Sequence, residues 1–189
     1  MREFVLFSNR GRSKGDWKDL MEAGRMDIVC HSVISAFFFS NSIRTDTKLS
    51  ILLNGPPDPP KHIQIEYDEE LPISKKDVGG LLRATLWKYK PGQKMKAFPG
   101  IFVEKKTLRK LIEEKESDEI YYLDKRGTDI SQIEFGENPV FVLGDHEGIP
   151  KHELKFLKQN ATPVSIGHNV YFTSQCISFI NIWLDRKTI

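Results

Sequence analysis

The sequence predicts an α/β fold, a mostly parallel sheet sandwiched by helices. Two observations carry that expectation. Residues 120–123, 140–143 and 164–166 are short apolar runs without clean alternation. Strands covered on both faces look like this, as parallel strands are. Polar or glycine-containing residues follow each run, and helical patterns follow two of them, at 151–158 and 174–186. Strand, loop and helix in repetition is the habit of α/β proteins. The 189 residues suit one domain, 1–189. A chain of that size can bury roughly 70% of its extended surface without staples.

The remaining elements follow in order. Residues 4–8 read as a buried strand. Residues 26–40 read as a helix, with Ile28, Val29, Ile34, Ala36, Phe37 and Phe38 near helical spacing. Residues 49–53 form a second strand, stopped by a proline-rich loop at 54–60 that suits neither helix nor central strand. Apolar and polar residues alternate over 63–67, which predicts a half-exposed strand. Residues 78–87 look helical despite Gly79 and Gly80, and 107–115 form a polar helix. No repeat or low-complexity segment is visible.

Composition excludes several classes. Two cysteines, Cys30 and Cys176, cannot build a disulfide scaffold or a four-cysteine zinc site. Residues 4–7 are too short an apolar run for a signal peptide, and no run approaches the ~18 residues of a membrane span. Free thiols without leader or span point to a cytoplasmic protein. The net charge of +2 is too small for bulk attraction to nucleic acid, so such a partner needs a local patch. Residues 83–110 supply one, with nine Lys/Arg against the single acid Glu104, interleaved with Trp87, Tyr89 and Phe98. That mixture suits phosphate contacts and base stacking; a solvated connection is the bland alternative.

Three motifs carry chemistry. The first is Leu143-Gly144-Asp145-His146-Glu147-Gly148 before Ile149-Pro150. A buried strand enters a glycine turn where open α/β sheets bind ligands. Its plain reading is a strand-to-helix turn capped by Asp145, with Pro150 at the first helical position. The second is Val164-Ser165-Ile166-Gly167-His168-Asn169, then Thr173-Ser174-Gln175-Cys176 at a helix start, with Thr173 or Ser174 as N-cap. His168 reads as solvated, and Cys176 as a small buried thiol rather than a nucleophile. The third is Gly24-Arg25-Met26-Asp27 before the 26–40 helix and Arg44-Thr45-Asp46 after it. Asp27 is either a charge at a helix start or a carboxylate that reads a base N–H.

The strings Gly-Arg-Met-Asp, Ala-Phe-Phe-Phe-Ser, Ile-Arg-Thr-Asp-Thr, Leu-Asn-Gly-Pro-Pro-Asp-Pro-Pro, Pro-Gly-Ile-Phe-Val, Tyr-Tyr-Leu-Asp-Lys-Arg-Gly and Phe-Val-Leu-Gly-Asp-His-Glu-Gly follow one another along the chain, closed by Cys-Ile and Leu-Asp-Arg. In this order the chain resembles the archaeal tRNA pseudouridine-54 N1-methyltransferases of the SPOUT superfamily, over about residues 2–186. The resemblance implies a C-terminal trefoil knot, a homodimer, tRNA as partner through its T-arm, and S-adenosylmethionine as donor. It places Leu123, Gly144, Asp145, Gly148, Val164, Ser165, Ile166, Gly167, Phe172 and Cys176 around the donor. It places Arg25, Asp27 and Arg44 on the nucleoside side, with Asp27 as the catalytic residue. Thr173-Ser174-Gln175 departs from many relatives, which carry Ala, then Asp or Ser, then His. No metal is implied. Two rival readings stand beside this one: a related enzyme acting on pseudouridine in ribosomal RNA, and an RNA-binding module without catalysis.

Overall fold

The computed structural model describes residues 1–115 and 119–187. Its centre is strand β1 (Arg2–Arg12), flanked by β2 (Thr47–Gly55) and β7 (Pro139–Gly144), both parallel to it. Beyond β7 lie β6 (Glu119–Asp129) and β8 (Thr162–Ser165), again parallel. Beyond β2 the sheet turns antiparallel through β3 (Lys61–Glu66), β5 (Ile101–Glu104) and β4 (Met95–Phe98). The order is β4-β5-β3-β2-β1-β7-β6-β8.

Helices cover both faces. On one face α1 (Met26–Phe37), α2 (Val78–Trp87) and α5 (Thr173–Lys187) pack over Phe4, Leu6, Leu49, Ile51 and Phe141. On the other, α3 (Leu108–Glu113) and α4 (Lys151–Asn160) cover Val5, Phe7, Leu52, Val140 and Val142. Successive side chains of β1 therefore enter alternate cores. That is why its sequence is an unbroken apolar run. Phe4, Phe141 and Tyr121 stack across β1, β7 and β6 at 5.9 and 5.6 Å.

Four details differ from expectation. The first helix stops at Phe37, because Phe38 turns extended and bridges Ile43. Strand β3 is buried rather than half-exposed, since polar residues on it find partners. The His62 Nδ1 lies 3.2 Å from Glu104, and the Gln64 carbonyl accepts from Lys94 at 2.9 Å. The β4–β5 hairpin was not among the predicted elements. Pro150 precedes α4 as its N-cap residue and is not the first helical residue. No helix among the described residues is long and apolar enough to cross a membrane.

Candidate active site

A cavity of about 300 Å³ opens beyond the carboxyl ends of β7 and β8, beside a kink in β6. The kink arises because Leu123 and Thr128 of β6 both pair with Val164, so the residues between them leave the ladder. Nine of the ten residues that the resemblance puts around the donor line this cavity: Leu123, Gly144, Asp145, Gly148, Val164, Ser165, Ile166, Gly167 and Cys176. Phe172 does not line it. Its side chain is 66% exposed, pointing outward just before α5.

Glycine is needed at two points of the rim. A Cβ on Gly144 would lie 2.5 Å from the carbonyl carbon of Gly148, so the turn closes only without a side chain. Gly148 sits at φ 74°, a left-handed backbone that costs other residues strain. A Cβ there would meet nothing within 4 Å, which leaves open space over that backbone.

The polar side chains at the rim are mostly spent on the rim itself. The Asp145 carboxylate accepts the Asn9 backbone N–H at 2.7 Å, the Asn9 side-chain amide at 2.9 Å and the Glu147 N–H at 2.9 Å. Asn9 also donates to the Gly148 carbonyl at 2.7 Å, which locks the turn to the end of β1. Asp145 thus presents backbone, not a free carboxylate. Thr173 Oγ1 donates to the Gly144 carbonyl at 2.7 Å and fastens α5 to β7. The start of α5 is not capped by Thr173 or Ser174. Phe172 holds the N-cap position, its carbonyl accepting from the Cys176 N–H, while Gln175 Oε1 takes the Phe172 N–H. That second bond is half of a capping box. Burial pushes the Cys176 thiol up to about 11, so it is a protonated wall group at neutral pH. His168 is exposed.

Beside the cavity stands Arg25. It is the N-cap residue of α1, with φ 65°, the left-handed region that a non-glycine residue seldom adopts. Its guanidinium grips both oxygens of Asp27, each at 3.0 Å. That hydrogen bonding holds the Asp27 carboxyl below the usual carboxylate range. Gly24, next to Arg25, packs directly on the Arg10 backbone, and the Arg10 guanidinium reaches Glu147 of the glycine turn at 2.6 Å, which sets this pair near the cavity rim.

Arg44 belongs elsewhere. It follows the far end of α1, a helix of 12 residues, about 18 Å long at 1.5 Å per residue. Its guanidinium is buried and binds Asp185 through two bonds of 2.8 and 2.6 Å. Arg2 shares the same carboxylate at 2.8 Å. The expected grouping of Arg25, Asp27 and Arg44 is therefore corrected to Arg25 and Asp27 alone. Arg44 ties α1 to α5.

Sequence reasoning did not place Asn9, Ile149, Leu154 or Tyr171 at the site, and it named Thr173 only as a candidate N-cap. Ile149 and Leu154 are apolar walls that follow the glycine turn. A polar residue closing the first buried strand was the available signal for Asn9.

A cavity at the carboxyl ends of parallel strands is where open α/β sheets hold ligands. The chain belongs to the family described as SAM-dependent RNA methyltransferases, whose profile matches residues 1–189. It is 36% identical over 203 residues to the tRNA (pseudouridine(54)-N(1))-methyltransferase of Pyrococcus abyssi, covering 100% of both chains. It is 35% identical to the enzyme of the same name from Methanopyrus kandleri, over 99% of this chain and 94% of the other. Its fold resembles that of Archaeoglobus fulgidus Nep1 bound to S-adenosylhomocysteine, with a TM-score of 0.62 and 16% identity over 86% of this chain and 71% of that one. This likeness supports the α/β fold.

Proposed function

We propose that the chain transfers a methyl group from S-adenosylmethionine to N1 of pseudouridine 54 in the T-loop of tRNA. The observation that carries this reading is the meeting of three strand-end loops in one cavity, with the Arg25–Asp27 pair at its edge. The cavity suits the donor. Leu123, Leu143, Leu154 and Val164 offer apolar walls for a purine, and the loops carrying Gly144, Gly148 and Gly167 bring backbone amides and carbonyls near. Full-length relatives that carry this activity by name support the substrate.

When bound, S-adenosylmethionine supplies a methyl group on a positively charged sulfur. The chain's own work is positioning: donor and acceptor must lie in line at near-contact distance. N1 of pseudouridine bears a proton, whereas N1 of uridine carries the sugar. Asp27, ionised and held at both oxygens by Arg25, accepts a charge-assisted bond from that N1–H. Its lowered pKa keeps it ionised at neutral pH, so it can orient N1 and take up the proton directly or through water. Cys176, protonated, forms no adduct.

The reading includes one domain, a trefoil knot, a homodimer and a cytoplasmic site of action. The dimer is supported by α5: it buries Cys176, Ile177 and Ile180, yet Phe179 and Ile182 are 41% and 59% exposed. Ile182→Glu should give a monomeric mass in light scattering; an unchanged mass would move the interface elsewhere.

Mass spectrometry of nucleosides tests the function. The protein, labelled donor and a T-arm RNA bearing pseudouridine 54 should yield labelled N1-methylpseudouridine, and the uridine-54 RNA none. Label on a ribose or on uridine would overturn the assignment.

A further inference from the structure

A second cavity, of about 330 Å³, lies between α1, α2 and the loop 13–25. Its lining brings together Lys18, His31, Lys75, Lys76 and Arg83 against one acid, Asp77. The nearby carboxylates are already engaged. Asp77 Oδ1 takes the Gly80 N–H at 2.8 Å, Asp19 Oδ1 takes the Met21 and Glu22 N–H groups, and Asp16 is held by Arg12. Lys75 is held by the Ser40 carbonyl at 3.0 Å. The side chains of Lys18 and Lys76 make no hydrogen bond or ion pair among the described residues.

The position of this cleft relative to Asp27 matters. His31 and Ile34, both in its wall, follow Asp27 on α1 by four and seven residues. That is about 6 and 10 Å along the helix. Stacked nucleotides advance about 3.4 Å each along a strand, so the distance corresponds to two or three nucleotides. Beyond the cleft, Gly15 of the same loop packs on the Arg83 carbonyl and on the Trp87 ring, so Arg83 and Trp87 share one face of α2. Of the four aromatics in the basic segment, Tyr89, Phe98 and Phe102 are capped by Lys61 at 4.1 Å, Lys88 at 3.7 Å and Lys94 at 4.9 Å. Trp87 is 58% exposed, with Lys14 more distant, at 5.2 Å from its ring centre.

We infer that this cleft holds backbone phosphates of the substrate RNA, two or three nucleotides from the methylated base, and that Trp87 stacks an unpaired base beyond them. The inference rests on the function proposed above and extends it from the reacting nucleoside to the strand that carries it. Unpaired cations around a cavity suit phosphates, and an open indole suits any base. The bland alternative is a solvated lysine surface, which the test separates.

The test measures RNA affinity of the full chain against salt, using the pseudouridine-54 T-arm. Lys18→Gln/Lys76→Gln should weaken binding about tenfold or more at moderate salt and flatten the log–log salt slope by about one to two, the scale of two lost phosphates. Donor affinity and the single-turnover rate at saturating RNA should be unchanged. Trp87→Ala should weaken binding about fivefold or more with the slope unchanged, the signature of stacking. Both lysines and Trp87 are exposed, and unfolding temperatures would verify intact folds. Wild-type affinity and slope in the double lysine variant overturn the cleft. Wild-type affinity in Trp87→Ala overturns the stacking. If wild-type protein binds the RNA, and loses it in these variants, yet methylates no pseudouridine, the proposed function fails while the cleft stands.

Discussion

The glycine-rimmed cavity and the Arg25–Asp27 corner lie side by side at one edge of the sheet, yet they are built by opposite means. In the cavity the polar side chains bind the protein itself. The Asp145 carboxylate, the Thr173 hydroxyl and the Asn9 amide all close loops, and the thiol of Cys176 stays protonated. What is left for a ligand is mainly shape, apolar wall and backbone, with the side chains of Asp124, Lys125, Asn169 and Tyr171 also in the lining. In the corner a carboxylate keeps its charge, with one arginine fixing its direction. On the proposed function the first region would recognise by fit and the second by charge, so substitution, salt and acid should act on them separately.

The largest expected effect breaks the corner alone. Asp27→Asn keeps the shape and loses the charge, so single-turnover methylation should fall by about 10²–10⁴, the scale of losing an acid–base group. Donor affinity by calorimetry should not change. A wild-type rate would return Asp27 to the role of a charge at a helix start.

Gly144→Val should break the cavity alone. Its new side chain meets the Gly148 backbone, so the turn must open, costing about 1–3 kcal/mol of stability. Donor affinity should fall at least tenfold together with the unfolding temperature. Full donor affinity in this variant would remove the turn from the binding site.

Salt sharpens the contrast. Arg25→Ala should weaken RNA binding and flatten its salt slope by about one, while donor binding stays indifferent to salt in both proteins. A donor affinity that falls steeply with salt would contradict a site built from shape and backbone.

Acid should reach the fold before it reaches either region. Burial lowers the pKa of His62, and its hydrogen bond, with Lys106 nearby, holds Glu104 at about 2. Both folded values lie below the unfolded ones, so the stability these groups contribute is complete above pH 6.5 for His62 and above 4.5 for Glu104. It is lost as pH falls below those values, towards about 2 for Glu104. Unfolding temperatures at constant ionic strength should therefore decline from pH 6.5 downward; a flat profile to pH 4 would contradict the pair's role. The smallest effect is that of Cys176→Ala, whose rate should stay within about threefold of wild type, since a thiol pushed up to about 11 is no nucleophile.

What the sequence showed divides along the same physical line. Strands β6, β7 and β8 were legible because burial on both faces prints an apolar run. The cavity was legible because glycines follow those runs, and motif resemblance named nine of its lining residues. Burial of β3 was not legible, because His62 and Gln64 are tolerable inside only beside Glu104 and Lys94, which lie 42 and 30 residues away. Asn9 was missed for the same reason: its partner Asp145 is 136 residues distant. Arg44 was misplaced because flanking the same helix as Arg25 says nothing about which end a group occupies.

The carboxylate of Asp185 has a consequence for how the chain is made. Arg2 and Arg44 leave the ribosome well before Asp185, and both are buried against this one acid on α5. Until it arrives, Arg44 lacks its carboxylate and Arg2 has only Asp46, and burying a guanidinium unpaired is unfavourable. The same helix brings Thr173 and Cys176 to the cavity. Closure of the sheet and completion of the cavity are thus a single late event in synthesis. A chain cut short before α5 should present neither a finished core nor a competent pocket, so cellular quality control would meet it as unfolded protein rather than as a weak enzyme.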